Sequence, residues 1–172
     1  METNHQENIG PVLEQFQIEE KEKRRIKRDV VGILICSGDG KFLLGKHHSQ
    51  LSYGDCFWMI MGGGVEGGES KEEAARREAF EETGVDISQC DLLKIDDTKT
   101  GESEKTLSTG ERVVCEMRFF DFKVDLSQSS QEIALNPEER EYSEMKWFDT
   151  KEISGLVLTP PTRLLFEQLN II

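Results

Sequence analysis

The sequence predicts an α+β domain: strands, one central helix, more strands and a closing helix, without the strand-helix alternation of a doubly wound sheet. Two observations carry this. Short β-branched and apolar runs bounded by turn residues recur along most of the chain, whereas helices with clear start and stop signals follow the N-terminal segment at only two places. With 172 residues, 36% hydrophobic and 32% charged, the chain suits one such domain with a normal core.

Residues 1–28 form an N-terminal segment in which sparse apolar positions precede EEKEKRRIKR. Its alternatives are a tail, a short helix, or an edge strand used in dimer pairing. The domain proper is expected over 29–172. VVGILI and FLLGKH, separated by the turn residues CSGDGK, make a hairpin. CFWMIM reads as a strand running straight into glycines. Beyond the central helix come the strands DLLKI, RVVCEMRFFDFKV and EMKWFD. The polar span from Asp96 to Glu111 exceeds a usual connection, which makes it a substrate-facing lid, a disordered excursion or a hairpin tip. TPPTRLLFEQLNII closes the chain as a helix, with Thr159 as cap and prolines in the first turn, where a missing N–H costs nothing.

A formal net charge of −13 sets a field that repels nucleic acid and anionic membrane, so a polyanionic substrate needs local help. The basic run Lys21 to Arg28 is interleaved with acids and lacks aromatic platforms, which suits a solvated face. Cys36, Cys56, Cys90 and Cys115 form no C-x-x-C pair and indicate neither zinc nor a disulfide framework. The polar start has no secretory layout, and a cytoplasmic protein is expected.

The chemistry gathers in GGGVEGGESKEEAARREAFEETGV, Gly62 to Val85. Ser70 and Glu73 form a capping box, so the helix starts at Lys71, and Gly84 supplies a left-handed exit after Thr83. On the helical wheel Glu78, Glu81 and Glu82 stand at roughly 0°, 300° and 40°, one stripe on one face. Two such charges about 4 Å apart repel by about 1 kcal/mol in water but about 4 kcal/mol in a protein cleft. Exposed, the stripe is mere surface; recessed, it calls for a cation, and Ala74, Ala75 and Ala79, which let the helix lie close against a neighbour, favour recession. Carboxylate oxygens select Mg²⁺, Mn²⁺ or Ca²⁺ over zinc or copper. The glycine loop can bring backbone to a ligand, and Arg77 can brace a carboxylate bidentately.

Gly63, five residues, Glu69, seven residues, then Arg77-Glu78-Ala79-Phe80-Glu81-Glu82-Thr83-Gly84-Val85 resembles the Nudix (MutT-like) box, G-x5-E-x7-R-E-U-x-E-E-x-G-U with U a bulky aliphatic. The hairpin ahead of it, Trp58, EMKWFD and the closing helix extend the resemblance over about Asp29 to Leu169. Met61 stands where the family often has proline, and Ala79 is a small first aliphatic; every acidic position is filled. The resemblance implies a Nudix-type α/β/α sandwich with a mixed central sheet.

It also implies a pyrophosphohydrolase that splits a nucleoside diphosphate linked to another moiety and releases a nucleoside monophosphate, with Mg²⁺ as cofactor and Mn²⁺ as substitute. By resemblance Glu78 and Glu82 are the principal metal ligands, Glu81 and Glu69 stand near the metal, and the Gly63 carbonyl adds a ligand. Glu81, Glu82 and Arg77 are the catalytic candidates, Arg77 by orienting Glu69 or a neighbour. The general base is Glu81 or an acid of NPEEREYSE, namely Glu138, Glu139, Glu141 or Glu144. His47 and His48 read as ordinary loop histidines. Phe57, Trp58, Phe119, Phe120 and Trp147 are available to wall a base, and alternation puts about half of such residues in the core. A nucleotide-sensing domain without hydrolysis is the alternative. An isoprenoid diphosphate isomerase, for which Cys56 would have to be catalytic, is a third reading. A two-fold dimer is the plain expectation for a domain this size.

Overall fold

In the computed structural model, which describes residues 23–47, 57–137 and 141–172, one mixed eight-stranded sheet carries helices on both faces. The elements are β1 (Arg25–Cys36), β2 (Phe42–His47), β3 (Trp58–Met59), β4 (Met61–Gly64), α1 (Lys71–Thr83), β5 (Leu93–Asp96), β6 (Thr100–Thr106), β7 (Arg112–Asp125), β8 (Tyr142–Phe148), α2 (Thr150–Ile153) and α3 (Pro160–Gln168). Among the described residues no helix is long and apolar enough to cross a membrane.

The apolar run at the end of β1 is continuous because both its faces are covered. Val31, Ile33 and Ile35 pack with Leu43, Met61, Phe122, Val124 and the three α1 alanines. Leu34 and Cys36 point the other way, to Leu44, Trp58, Phe148, Ile153, Leu165 and Phe166. Each such Val, Leu or Ile contributes about 1.5–3 kcal/mol when fully buried. β1 runs parallel to β7 from Arg25↔Val114 to Cys36↔Asp125 and antiparallel to β4 from Val30↔Gly64 to Ile33↔Met61. That pairing lays the glycine strand under α1.

Four sequence expectations change. β1 begins at Arg25, so the end of the basic segment belongs to the sheet, where Arg25 pairs with Glu102 and Glu116 and Arg24 with Glu111. Residues 1–22 and Cys56 lie outside the described residues. Of the three readings of the polar span the hairpin holds, and more of it is strand than a tip implies: β6 pairs with β7 from Thr100↔Arg118 to Thr106↔Arg112, with the turn at Leu107–Glu111. Being exposed on both faces, β6 has no apolar alternation to announce it. CFWMIM does not form one strand, since β3 and β4 are separated at Ile60 and the glycines themselves are strand. A short α2, capped by Asp149 and Glu152, precedes α3.

Helix α1 has the ends its sequence specifies. Ser70 Oγ accepts from the Glu73 N–H at 3.1 Å, and the Glu73 carboxylate accepts from the Ser70 N–H at 2.7 Å. Gly84 has φ 74°, and its N–H donates to the Phe80 carbonyl at 2.7 Å. The Asn136 N–H then donates to the Thr83 carbonyl at 2.9 Å, latching the loop ahead of β8 onto the helix end. A Cβ at position 84 would lie 2.3 Å from the Asn136 oxygen. Gly84→Ala is therefore expected to lower the unfolding free energy by about 1–3 kcal/mol, from left-handed strain and loss of the latch. Urea titration checks this, and an unchanged midpoint would refute it.

Candidate active site

The centre of the acidic face is the guanidinium of Arg77. Its Nε and Nη2 donate to the two Glu69 oxygens at 3.1 and 2.8 Å, a bidentate pair. Nη1 donates to Glu78 Oε1 and Glu81 Oε2, each at 2.9 Å, and Nη2 also reaches the Gly64 carbonyl at 3.1 Å. One cation thus ties the approach loop, the glycine strand and two acids of the stripe. These contacts, Glu69 first, raise the proton affinity of Arg77 further. Glu69 is held below the usual carboxylate range by Arg77 and by the Glu66 N–H.

Glu82 is set apart from that network. It is 1% exposed, accepts from the Gly62 N–H at 2.8 Å and from the Tyr142 hydroxyl at 3.0 Å, and neither donor is charged. Burial pushes its pKa up to about 8 against the pull of those two bonds, and Glu78 and Glu141 raise it further. Glu78 is also pushed up, mainly by burial, with Arg77 opposing and Glu81 and Glu141 adding. Its carboxylate lies against the backbone of Gly63, where a Cβ would fall 2.3 Å from Oε1. Any other residue at Gly63 would displace it.

The structure thus brings Gly63, Glu69, Arg77, Glu78, Glu81 and Glu82 together. Among the described residues no three acidic, His or Cys side chains share a centre suited to a metal ion, since the Arg77 guanidinium stands among Glu69, Glu78 and Glu81. Of the distant acids, Glu141 is close enough to act on both Glu78 and Glu82, whereas Glu144 pairs with Lys46 at 3.2 Å. Glu138, Glu139 and His48 lie outside the described residues, as does the side chain of His47. Trp58 is core, edge-on to Phe148 at 4.6 Å, and Trp147 and Phe120 are partly buried against the α1-side core. Phe119 lines a groove of about 240 Å³ between β6, β7 and the start of α3. Tyr142 was not legible as a site residue, because its place depends on β8 pairing with β2, far away in sequence.

The NUDIX domain family model matches residues 26–169. The chain belongs to the Nudix family. Over 140 residues it is 33% identical to the nucleoside triphosphatase NudI of Escherichia coli (strain K12 / DH10B), covering 80% of this chain and 92% of that protein. It is 27% identical over 158 residues to the RNA pyrophosphohydrolase of Bartonella clarridgeiae, covering 77% of this chain and 82% of that protein. The crystal structure of the Nudix hydrolase RenU from M. smegmatis shares the fold, with a TM-score of 0.59, 21% identity and coverage of 84% of this chain and 85% of that one. The protein is thus a Nudix hydrolase acting on phosphoanhydride bonds.

Nudix hydrolases generally use divalent metal cations. The donor chemistry here fits one: all-oxygen acids, a buried Glu82 met only by neutral donors, and a Gly63 backbone bared beside Glu78.

A pH signature follows from Glu82. Its folded pKa, about 8, lies above the ordinary carboxylate value of 4.5, so the folded chain holds the extra proton. That contribution to stability is full below the unfolded pKa and is lost as pH rises through the folded one. In chelator, the unfolding free energy should fall between about pH 5 and pH 8, and Glu82→Gln should flatten the slope. Parallel slopes for parent and variant in denaturant titrations would contradict the assignment.

Proposed function

We propose that the protein is a Mg²⁺-dependent pyrophosphohydrolase that splits a nucleoside diphosphate linked to another moiety, a nucleoside triphosphate or nucleotide sugar, and releases a nucleoside monophosphate. The observation that carries this reading is Glu82, a buried carboxylate on the Gly62 N–H, near the Glu78 that lies against the Gly63 backbone, with the charge of Glu82 left for a bound cation to balance. Glu78, Glu82 and the Gly63 carbonyl would hold the ion, with Glu69 and Glu81 alongside. When bound, a divalent cation activates water and neutralises phosphate oxygens.

The chain's own residues supply the rest. Arg77 keeps Glu69, Glu78 and Glu81 in place by five hydrogen bonds counted with its bond to the Gly64 carbonyl, and so acts on the acids rather than on substrate. The proton of the attacking water goes to a nearby carboxylate. Glu81 is tied to Arg77 through one oxygen, whereas Glu141 lies close enough to act on both acids proposed to hold the ion, Glu78 and Glu82. Glu141 is therefore the better placed base. The groove at Phe119 offers the nucleoside apolar walls in Met117, Pro160, Pro161 and Leu164, with Lys99 at its edge held by Asp121 at 2.7 Å.

Hydrolysis of a mixed panel, with and without Mg²⁺, tests the reading. The panel holds canonical and oxidised nucleoside triphosphates, nucleotide sugars, dinucleoside polyphosphates and a 5′-triphosphorylated oligonucleotide. We expect metal-dependent release of a nucleoside monophosphate, reduced about a hundredfold or more by Glu82→Gln with the fold retained. Undiminished turnover by that variant would refute the site, and tight binding without product would favour the sensor reading. Glu141→Gln is expected to lower kcat about a hundredfold or more, and Glu81→Gln to lower it less.

A further inference from the structure

We propose that Tyr142 is a positioning residue that holds Glu82 for the divalent cation, and that Gly45 and a bulge between β2 and β8 make room for it. This rests on the metal-site reading above. The Tyr142 hydroxyl donates to Glu82 Oε1 and the Gly62 N–H donates to Oε2, so each oxygen is held from a different strand. Turning the carboxylate breaks one bond or the other. Both donors are neutral, which fixes the carboxylate while leaving its charge and a lone pair on each oxygen for a cation. Arg77 does the opposite for Glu69, Glu78 and Glu81, orienting them by compensating their charge.

The strands around Tyr142 are shaped for this contact. The β2–β8 ladder pairs Lys46 with Glu144 and then His47 with Tyr142, so the register shifts at that step and Ser143 is skipped. Such bulges re-aim a side chain. The ring then lies back over Gly45, whose ladder partner is Met145: a Cβ on Gly45 would fall 2.5 Å from Tyr142 Cδ1 and within 2.9 Å of two further ring atoms. A glycine inside a strand and a broken register both weaken a sheet. Here they converge on one ring whose hydroxyl ends on Glu82.

The test is Mn²⁺ binding by the full chain, followed through the electron-paramagnetic signal of the free ion, with activity measured across metal concentrations. Tyr142→Phe keeps the ring and removes only the hydroxyl. It should weaken Mn²⁺ binding about tenfold or more and raise the metal concentration for half-maximal activity by the same factor, while kcat at saturating metal stays near the parent's. Gly45→Ala, which displaces the ring but keeps the hydroxyl, should weaken binding in the same direction; if it does not fold, Tyr142→Phe still decides. Binding by Tyr142→Phe within about twofold of the parent would overturn the proposal, even with a lower melting temperature, and would leave the hydroxyl a bond of the fold alone. A parent chain that binds no Mn²⁺ would instead overturn the metal site itself.

Discussion

Four carboxylates crowd one helix face and its approach loop, and one guanidinium lets three of them stay there. Were Arg77 absent, Glu69, Glu78 and Glu81 would share a recessed surface with nothing to offset their repulsion, which rises several-fold as water is excluded. The rest of the site depends on that tie. It draws the loop after β4 down onto α1, and with it the Gly64 carbonyl. The capping box at Ser70 and the latch at Gly84 set the length and ends of the helix that carries Arg77. The two kinds of acid are thereby separated: those answered by an internal cation, and Glu82, answered only by neutral donors.

Much of this was legible in the sequence, because the signals are local. Ser70, Glu73 and Gly84 stand within a turn of the atoms they satisfy, and α1 runs from Lys71 to Thr83 as they require. The box spacing, the central apolar strand and the closing helix were equally plain. What was hidden depends on pairings between distant segments. β6 is polar on both faces and becomes a strand only because β7 continues far enough to offer it a partner. Tyr142 enters the site through the register of β8 on β2. Nothing near Glu141 distinguishes it from Glu144 until the fold turns one toward Glu82 and the other toward Lys46.

The aromatic residues show the same limit. Alternation can say that about half point inward, but which ones do so depends on what covers each face. Trp58 is buried because α3 and the segment ahead of it close over its face, bridging Trp58 to Leu158. Phe119, one position from the partly buried Phe120, falls on the side where β6 and the first turn of α3 leave a groove. Adjacent residues of one strand thus have different roles.

The bond from Asn136 to Thr83 bears on how this chain can vary in length. It divides the connection between β7 and β8 into two parts. The part before Asn136 has little slack, since Ser130 is bonded to Asp39 and Ile133 and Leu135 pack against the α1-side core. A residue gained or lost there would be felt through the Thr83 carbonyl at the end of α1, the helix that carries the acids.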